Sequence, residues 1–131
     1  MDATAGGALP LPQVVRLRRT RDGTVVQDCQ LYVGRALHMG GWHLAASPWA
    51  NPYKLALGEK DTPAARQALL DRYEVYVRGR PDLMTRLPEL AGRTLGCFCK
   101  PKLCHGDVLV KLVGECQQQQ QQQHAPPLAS L

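Results

Sequence analysis

The chain has 131 residues, a formal net charge of +5 and a hydrophobic content of 44%. This length and composition are ordinary for one globular domain. No stretch approaches the roughly 20 apolar residues that a membrane span needs, which excludes a membrane partner. Residues 13–116 contain all 16 basic residues but only 10 of the 11 acidic ones. This positive excess favours an anionic small molecule or nucleic acid as the partner.

The two ends of the chain differ in composition from its middle. Residues 1–12 are rich in Ala, Gly and Pro, and residues 117–131 begin with a run of glutamines, Gln117 to Gln123. Low-complexity segments of this kind cannot build a core. We therefore expect a flexible lead over 1–12, one domain over 13–116 and a glutamine-rich tail over 117–131. Glutamine-mediated self-association is the functional alternative for the tail, and a dispensable repeat is the simpler one.

The number of cysteines is odd, and the N-terminal stretch lacks the long apolar segment of a secretory signal. The five are Cys29, Cys97, Cys99, Cys104 and Cys116. This pattern favours free thiols in a reducing compartment, and we expect a cytoplasmic location. Cys29 and Cys116 are interpreted as core thiols.

Two strands are predicted in the first part of the domain. Val14 to Arg18 and Cys29 to Gly34 show the alternation of a half-buried strand, with a turn at Asp22-Gly23 between them. Residues 35–53 show no clear period and contain several Gly and Pro residues. A loop of this length inside a compact domain is often functional.

Helices dominate the second part. Thr62 and Pro63 have the side chains of a helix cap and a first helical position, and apolar residues then recur at helical spacing until Gly79. The further predicted elements are a short helix from Asp82 to about Pro88, a buried strand over 94–99 and a final helix over 105–116. This order predicts an α/β domain, with helices packed on a small, mostly parallel sheet.

A cluster of reactive side chains spans the last strand and the start of the last helix. Side chains alternate along a strand, so Cys97 and Cys99 share a face. Cys104, His105 and Asp107 follow at the helix start. Open α/β sheets place their ligands at such strand–turn–helix junctions. We expect Asn51 to face this cluster across a cleft.

The first interpretation of the cluster is nucleophilic catalysis by Cys104. Helix N-terminal amides stabilise a thiolate, and Lys100 and Lys102 add positive potential, so we expect Cys104 to be the most reactive of the thiols. His105 or Asp107 would assist, although adjacent side chains on a helix do not face each other.

Two other interpretations compete with it. Cys97, Cys99, Cys104 and His105 are the ligand types that zinc prefers, although a Cys-x-Cys spacing is less typical than Cys-x-x-Cys. The helix start, together with Lys100, also fits a phosphate site. A purely structural role would make the strand cysteines small core residues and the acidic residue of the helix a cap.

The long loop supplies candidate ligand-binding residues. The amide of Asn51 can both donate and accept, as recognition of a base or sugar requires. Trp42, Trp49 and Tyr53 are candidates for stacking on a ring, and Arg35 completes the expected pocket. The structural alternative is that these aromatic residues attach the loop to the core while Asn51 caps a turn.

Three segments resemble one known family. Trp49 to Tyr53 is similar to its W-G-N-P-F motif, and Leu95 to Leu109 resembles its L-G-C-W-C-x-P-x-x-C-H-G-D-V-L signature. Tyr32 to Arg35 fits its Y-[IV]-G-R strand end. The family comprises small domains of unknown function from bacteria, phages, large viruses and some algae. The resemblance covers about residues 13–114 and implies a shared α/β domain and a shared site. It implies no activity.

The expected function is that of an enzyme acting on a nucleotide-like or phosphorylated ligand, or on nucleic acid. The catalytic candidates are Cys104, His105 and Asp107, and the ligand-binding candidates are Arg35, Asn51, Trp49 and Lys100. The alternative is a non-catalytic zinc-binding or interaction module.

Overall fold

A computed structural model describes residues 9–124, so residues 1–8 and 125–131 of the expected lead and tail lie outside the described residues. These described residues form five short strands and three α-helices. The strands are β1 (Gln13–Arg16), β2 (Arg18–Arg19), β3 (Val25–Gln27), β4 (Leu31–Tyr32) and β5 (Thr94–Cys97). The helices are α1 (Pro63–Arg78), α2 (Pro81–Met84) and α3 (His105–His124), with a 3₁₀ turn at Leu87–Leu90.

A three-stranded parallel sheet organises the fold. β5 is its central strand and pairs with β1 on one side and β4 on the other. Val14 and Leu31 lie on either side of Leu95 in register. Apart from Thr94, all residues of β5 are buried, as expected for a central parallel strand covered by helices. The predicted α/β class with a mostly parallel sheet is confirmed.

The first predicted strand is interrupted at Leu17. Leu17 is buried, and its backbone N–H donates to the carbonyl oxygen of Cys97 at 2.9 Å. The chain then leaves the sheet, and β2 pairs antiparallel with β3 in a separate hairpin. Gly23 supplies the positive φ of 92° that the hairpin turn requires. β3 is too short for its pattern to be recognised from the sequence.

α1 lies where the sequence predicts it. The Thr62 side chain accepts a hydrogen bond from the N–H of Ala65, and Leu70, Tyr73 and Val77 form the buried face. The core lies between this face, β5 and the inner face of α3. Among residues 9–124, no helix combines the length and the apolar character of a membrane span.

α3 is longer than predicted, because it continues through the glutamine run to His124 instead of ending near Cys116. Glutamine has a good helix propensity, so a run of it extends a helix that packing has already nucleated. The Gln117 amide donates to the carbonyl oxygen of Leu9 at 2.8 Å, whereas Gln118, Gln119 and Gln120 are exposed.

We expect truncation after Cys116 to lower the free energy of unfolding by less than about 1 kcal/mol. Gln117 makes one exposed hydrogen bond, and a typical bond of that kind contributes about 0.5–1.5 kcal/mol. Chemical denaturation of the full chain and of the truncated chain measures the difference. A loss of several degrees in melting temperature would mean that the tail packs on the domain.

Candidate functional site

Cys104 caps the N-terminus of α3. Its sulfur accepts a hydrogen bond from the N–H of Gly106 at 3.4 Å, and its own N–H donates to Oδ2 of Asp107 at 3.3 Å. This reciprocal pair is a capping box in which a thiol replaces the usual hydroxyl. Asp107 Oδ1 also pairs with the Lys100 ammonium at 2.7 Å. Asp107 therefore serves the helix end, as the structural interpretation of this residue expects.

Three thiols meet beside this cap. The sulfurs of Cys97 and Cys104 lie 3.1 Å apart, and both residues are at most 2% exposed. Cys104 and Cys97 both influence the pKa of the Cys99 thiol, and Cys99 is only partly buried. Cys97 and Cys99 share a face because they are two residues apart on an extended chain. The strand–turn–helix junction thus concentrates three sulfurs at the carboxyl end of the central strand.

His105 lies against this cluster as a neutral imidazole. Its Nε2 is 2.6 Å from the carbonyl oxygen of Val33, so this nitrogen carries the proton and donates it. Burial lowers the pKa of His105, which keeps the ring uncharged. Its Nδ1 then faces the Cys104 sulfur at 3.8 Å as an acceptor. The two adjacent side chains face each other because Cys104 precedes the first turn of the helix.

Within the cluster, Cys99 is the thiol whose pKa is lowered, whereas the sequence predicts that Cys104 is the most reactive. Hydrogen bonds from Cys104, then from Cys97, lower the pKa of the Cys99 thiol, and the Arg66 guanidinium acts in the same direction. The pKa of Cys104 is raised by its contacts with Cys97 and Cys99 and by burial. For Cys97, the hydrogen bond from Cys104 lowers the pKa, but the contact with Cys99 and burial outweigh it. The helix N-terminus does not decide the order, because Cys104 is the most enclosed sulfur of the three.

A cavity of about 470 Å³ opens beside Cys99. Its basic lining residues are Arg35, Lys54 and Arg66, and no acidic residue of the described part of the chain lines it. Asn51, Cys97, Cys99 and His105 line it as well, so the expected cleft between the loop and the cysteine cluster is present. The remaining walls are apolar or aromatic: Tyr32, Tyr53, Leu55, Leu69, Leu70, Phe98 and Leu103, with Gly34.

Arg35 holds the loop in place at the cavity wall. Its guanidinium donates to the carbonyl oxygen of Asn51 at 2.9 and 3.1 Å and to that of Tyr53 at 2.8 Å. Oδ1 of Asn51 accepts the N–H of Tyr53 at 2.9 Å, which closes an Asx turn. Both residues line the cavity and fix the course of the loop that forms its wall.

We expect Arg35→Lys to lower the free energy of unfolding by about 1–2 kcal/mol. A lysine ammonium cannot reproduce the fork that reaches two carbonyl oxygens. Arg93→Lys is the matched control, because the Arg93 side chain makes no hydrogen bond within residues 9–124. Thermal denaturation of both variants measures the effect. Equal melting temperatures would show that the loop is held by its aromatic contacts alone.

Two predicted ligand-binding residues lie elsewhere. Trp49 is 1% exposed, and the Tyr73 hydroxyl donates to its carbonyl oxygen at 2.6 Å, so its ring fills the core and is not available for stacking on a ligand. Lys100 lines a separate groove and pairs with Asp107. An aromatic residue in a loop has the same sequence signal whether it faces a ligand or the core.

Sequence reasoning missed Arg66 and Lys54. Arg66 is held by a two-point ion pair with Asp61 at 2.6 and 2.8 Å, and its guanidinium also donates to the carbonyl oxygen of Leu103 at 3.3 Å. A weak signal existed, because Arg66 lies near the helix N-terminus, where acidic residues are favoured and where α1 has none in its first turn. Lys54 gave no such signal.

The zinc interpretation gains no geometric support. Within residues 9–124, no group of three or more His, Cys, Asp or Glu side chains is arranged to hold a metal ion. One nitrogen of His105 is already committed to Val33. The thiols remain chemically suitable donors, and zinc binding stays a prediction.

Comparison with known proteins identifies a viral relative and a matching family model. An uncharacterized protein of Acanthamoeba polyphaga mimivirus is 35% identical over 109 residues, which cover 77% of this chain and 78% of the viral protein. No solved structure matches the chain. The family model described as "Domain of unknown function (DUF4326)" matches residues 15–115. The chain therefore belongs to this family of domains of unknown function.

Proposed function

We propose that the domain is an enzyme that binds a nucleotide-like or other phosphorylated small molecule in the cavity and attacks it with the Cys99 sulfur. The observation that carries this proposal is the lining of the cavity. Among residues 9–124, three basic side chains and no acidic one line a space that opens onto Cys99, and of the three Lys54 is the one without an ion pair or a side-chain hydrogen bond in this part of the chain. Such a lining selects an anion and places it beside a nucleophile.

The size and walls of the cavity favour a ligand that joins an anionic group to an apolar or aromatic part. Its volume of about 470 Å³ is typical of small-molecule sites. Lys54 offers a charge-assisted hydrogen bond of the kind that phosphates accept, whereas the charge of Arg66 is already paired with Asp61. Tyr32 and Tyr53 offer aromatic surface to a ring. A phosphorylated nucleoside combines both requirements.

The thiol cluster supplies the chemistry of a substitution. The Cys99 sulfur forms a bond to the electrophilic atom of the ligand, and the leaving group departs with the electron pair of the broken bond. Water in the open cavity gives the leaving group its proton. A further water then displaces the sulfur, which restores the Cys99 thiolate and releases a proton that neutralises the hydroxide left by the first step. A reducing compartment such as the cytoplasm keeps all three thiols available for this cycle.

The binding part is tested by titrating nucleoside monophosphates, ribose 5-phosphate and inorganic phosphate into the full chain by calorimetry. We expect Lys54→Gln to weaken binding about tenfold, the effect of one charge-assisted contact of about 1.4 kcal/mol. Lys60→Gln removes the same charge from a residue outside the cavity and should leave binding unchanged. Equal weakening in both variants, or no binding of any probe, would overturn the proposal.

The chemical part is tested with the ligand that binds best. Cys99→Ala should keep its affinity within a few-fold and lose product formation, followed by mass spectrometry. Cys116→Ala is the matched control, since Cys116 is outside the cavity. Metal analysis of the purified full chain accompanies this assay. Stoichiometric zinc that is lost in Cys99→Ala would make Cys99 a metal ligand and would contradict its role as nucleophile.

A further inference from the structure

A second concave surface, which we call the arginine groove, adjoins the cavity. It has a volume of about 880 Å³ and is more open than the cavity. Its basic lining residues are Arg16, Arg18, Arg19 and Lys100, and none of the residues between 9 and 124 that line it is acidic. Neither the catalytic step nor the ligand cavity described above uses it.

Two of these arginines keep their charge uncompensated within the described chain. Arg16 and Arg18 are exposed and two residues apart on extended backbone, so their side chains leave the chain on the same side. No carboxylate of residues 9–124 lies within 4.0 Å of either one, in contrast to the ion-paired arginines Arg66, Arg78, Arg80 and Arg86. Exposed positive charge of this kind is what a phosphate backbone neutralises.

The other two basic residues of the groove are fixed. The Arg19 guanidinium donates to the carbonyl oxygens of Gly41 and Gly23 at 3.0 and 2.8 Å and lies 5.1 Å from the centre of the Trp42 ring. Lys100 pairs with Asp107. Arg19 and Lys100 raise the local electrostatic potential, but their side chains are already bonded within the domain. Arg16 and Arg18 are therefore the residues expected to contact a ligand directly.

Phe98 joins the groove to the cavity. Its ring lines both, and it packs edge-to-face on Tyr32 at 6.2 Å and on Trp42 at 5.9 Å between ring centres. One aromatic wall thus separates two basic surfaces. Alternation of stacking surface and positive charge is typical of sites for single-stranded nucleic acid.

We propose that the ligand of the cavity is one nucleotide of a single-stranded nucleic acid, whose neighbouring phosphates lie along the arginine groove on Arg16 and Arg18. This inference rests on the proposed function, because it assigns the cavity to a nucleotide. A free mononucleotide would fill the cavity and leave the groove unused. A duplex could not place a base in the cavity without flipping it out of the stack. An acidic peptide would satisfy the groove but brings no planar ring for the cavity.

The test compares a labelled twelve-residue oligothymidylate and oligouridylate with the corresponding mononucleotides on the full chain, using fluorescence anisotropy and calorimetry. We expect the oligonucleotides to bind at least about tenfold more tightly than the mononucleotides. The double variant Arg16→Gln/Arg18→Gln should lose this gain and keep the mononucleotide affinity. Its salt dependence, the slope of log K against log salt concentration, should fall in magnitude by about 1.4, which is about 0.7 for each lost phosphate contact to a single strand.

The control is Arg86→Gln/Arg93→Gln, which removes the same formal charge from residues outside the groove. Equal losses in both double variants would mean non-specific attraction and would overturn the proposal. So would mononucleotide binding without any gain for the oligonucleotide, although that result leaves the proposed function intact. Failure of every nucleotide probe would overturn both. If an oligoglutamate of equal charge displaces the oligonucleotide at equal concentration, the groove binds an acidic peptide and the strand is excluded.

Discussion

Iodoacetamide will alkylate Cys99 of the folded protein faster than any other cysteine of the cluster at pH 7. A thiol with an unperturbed pKa of about 8.5 is only a few per cent ionised at that pH, so complete ionisation contributes a factor of at most about 30. Part of this factor is lost, because a less basic thiolate is a weaker nucleophile. Hydrogen bonds from Cys104 and Cys97 and the neighbouring Arg66 lower the pKa of Cys99. Cys99 also lines the cavity, from which the reagent can reach it.

The other two thiols of the cluster will react far more slowly. Cys97 and Cys104 are at most 2% exposed, and their pKa values are raised. As the pH falls, the rate at Cys99 should stay constant below pH 7 and decline only when the pH passes through its lowered pKa. Rates at Cys29 should rise at alkaline pH instead, because burial raises the pKa of that thiol.

The measurement is labelling of the full chain between pH 5 and 9, followed peptide by peptide by mass spectrometry. Cys116→Ser is the control for a cysteine outside the cluster, and it should leave the rate at Cys99 unchanged. Arg66→Gln should slow Cys99 and no other cysteine, because the Arg66 guanidinium helps to lower the pKa of Cys99. Labelling of Cys104 ahead of Cys99 would restore the helix N-terminus as the factor that decides reactivity.

Gly96→Ala will lower the free energy of unfolding by about 2–3 kcal/mol, which is a fall of roughly 10 °C or more in melting temperature for a domain of this size. Gly96 lies in the middle of β5, between the neighbouring strands. A Cβ at this position would overlap the Cys29 sulfur and lie 2.8 Å from Cys29 Cβ and 3.0 Å from Leu17 Cδ2. The Cys29 Cβ is not the flexible end of a side chain, so something else must shift to relieve the overlap.

Gly114→Ala is the matched control in α3. Its new Cβ would meet Leu11 Cδ2 at 3.6 Å, an ordinary contact, and alanine favours a helix over glycine by up to about 1 kcal/mol. This variant should therefore be as stable as the parent or more stable. Cys29→Gly should restore part of the stability lost in Gly96→Ala. If Gly96→Ala melts within 2 °C of the parent, the crowding beside Cys29 is relieved by backbone movement.

The sequence carries the local signals of this fold well. Thr62 and Pro63 start α1 where the cap and helical spacing predict, and the predicted buried strand over 94–99 contains β5. The sequence predicts a small, mostly parallel sheet but not its strand order β1-β5-β4. That order depends on contacts between residues more than 60 positions apart. The hairpin of β2 and β3 was not predicted, since strands of two and three residues have too few positions to show a period.

The sequence likewise predicts only part of the candidate site. The convergence of Asn51, Cys99 and His105 follows from strand–turn–helix order, a rule about backbone topology. The choice between Cys104 and Cys99 does not, because it depends on which sulfur the fold encloses and where Arg66 lies. The burial and the spatial neighbours of a side chain depend on the tertiary structure, and the residues next to it in the sequence do not predict them.

The central position of β5 has a consequence for synthesis on the ribosome. β1 and β4 have only β5 as their partner in the parallel sheet, and Cys97 follows Tyr32 by ~65 residues. At about 5–20 residues per second, the nascent chain carries both strands for roughly 3 to 13 s before their partner is made. During this interval the two edges are open to other chains. The cysteine cluster, which lies at the end of β5 and the start of α3, is therefore among the last parts of the molecule to form.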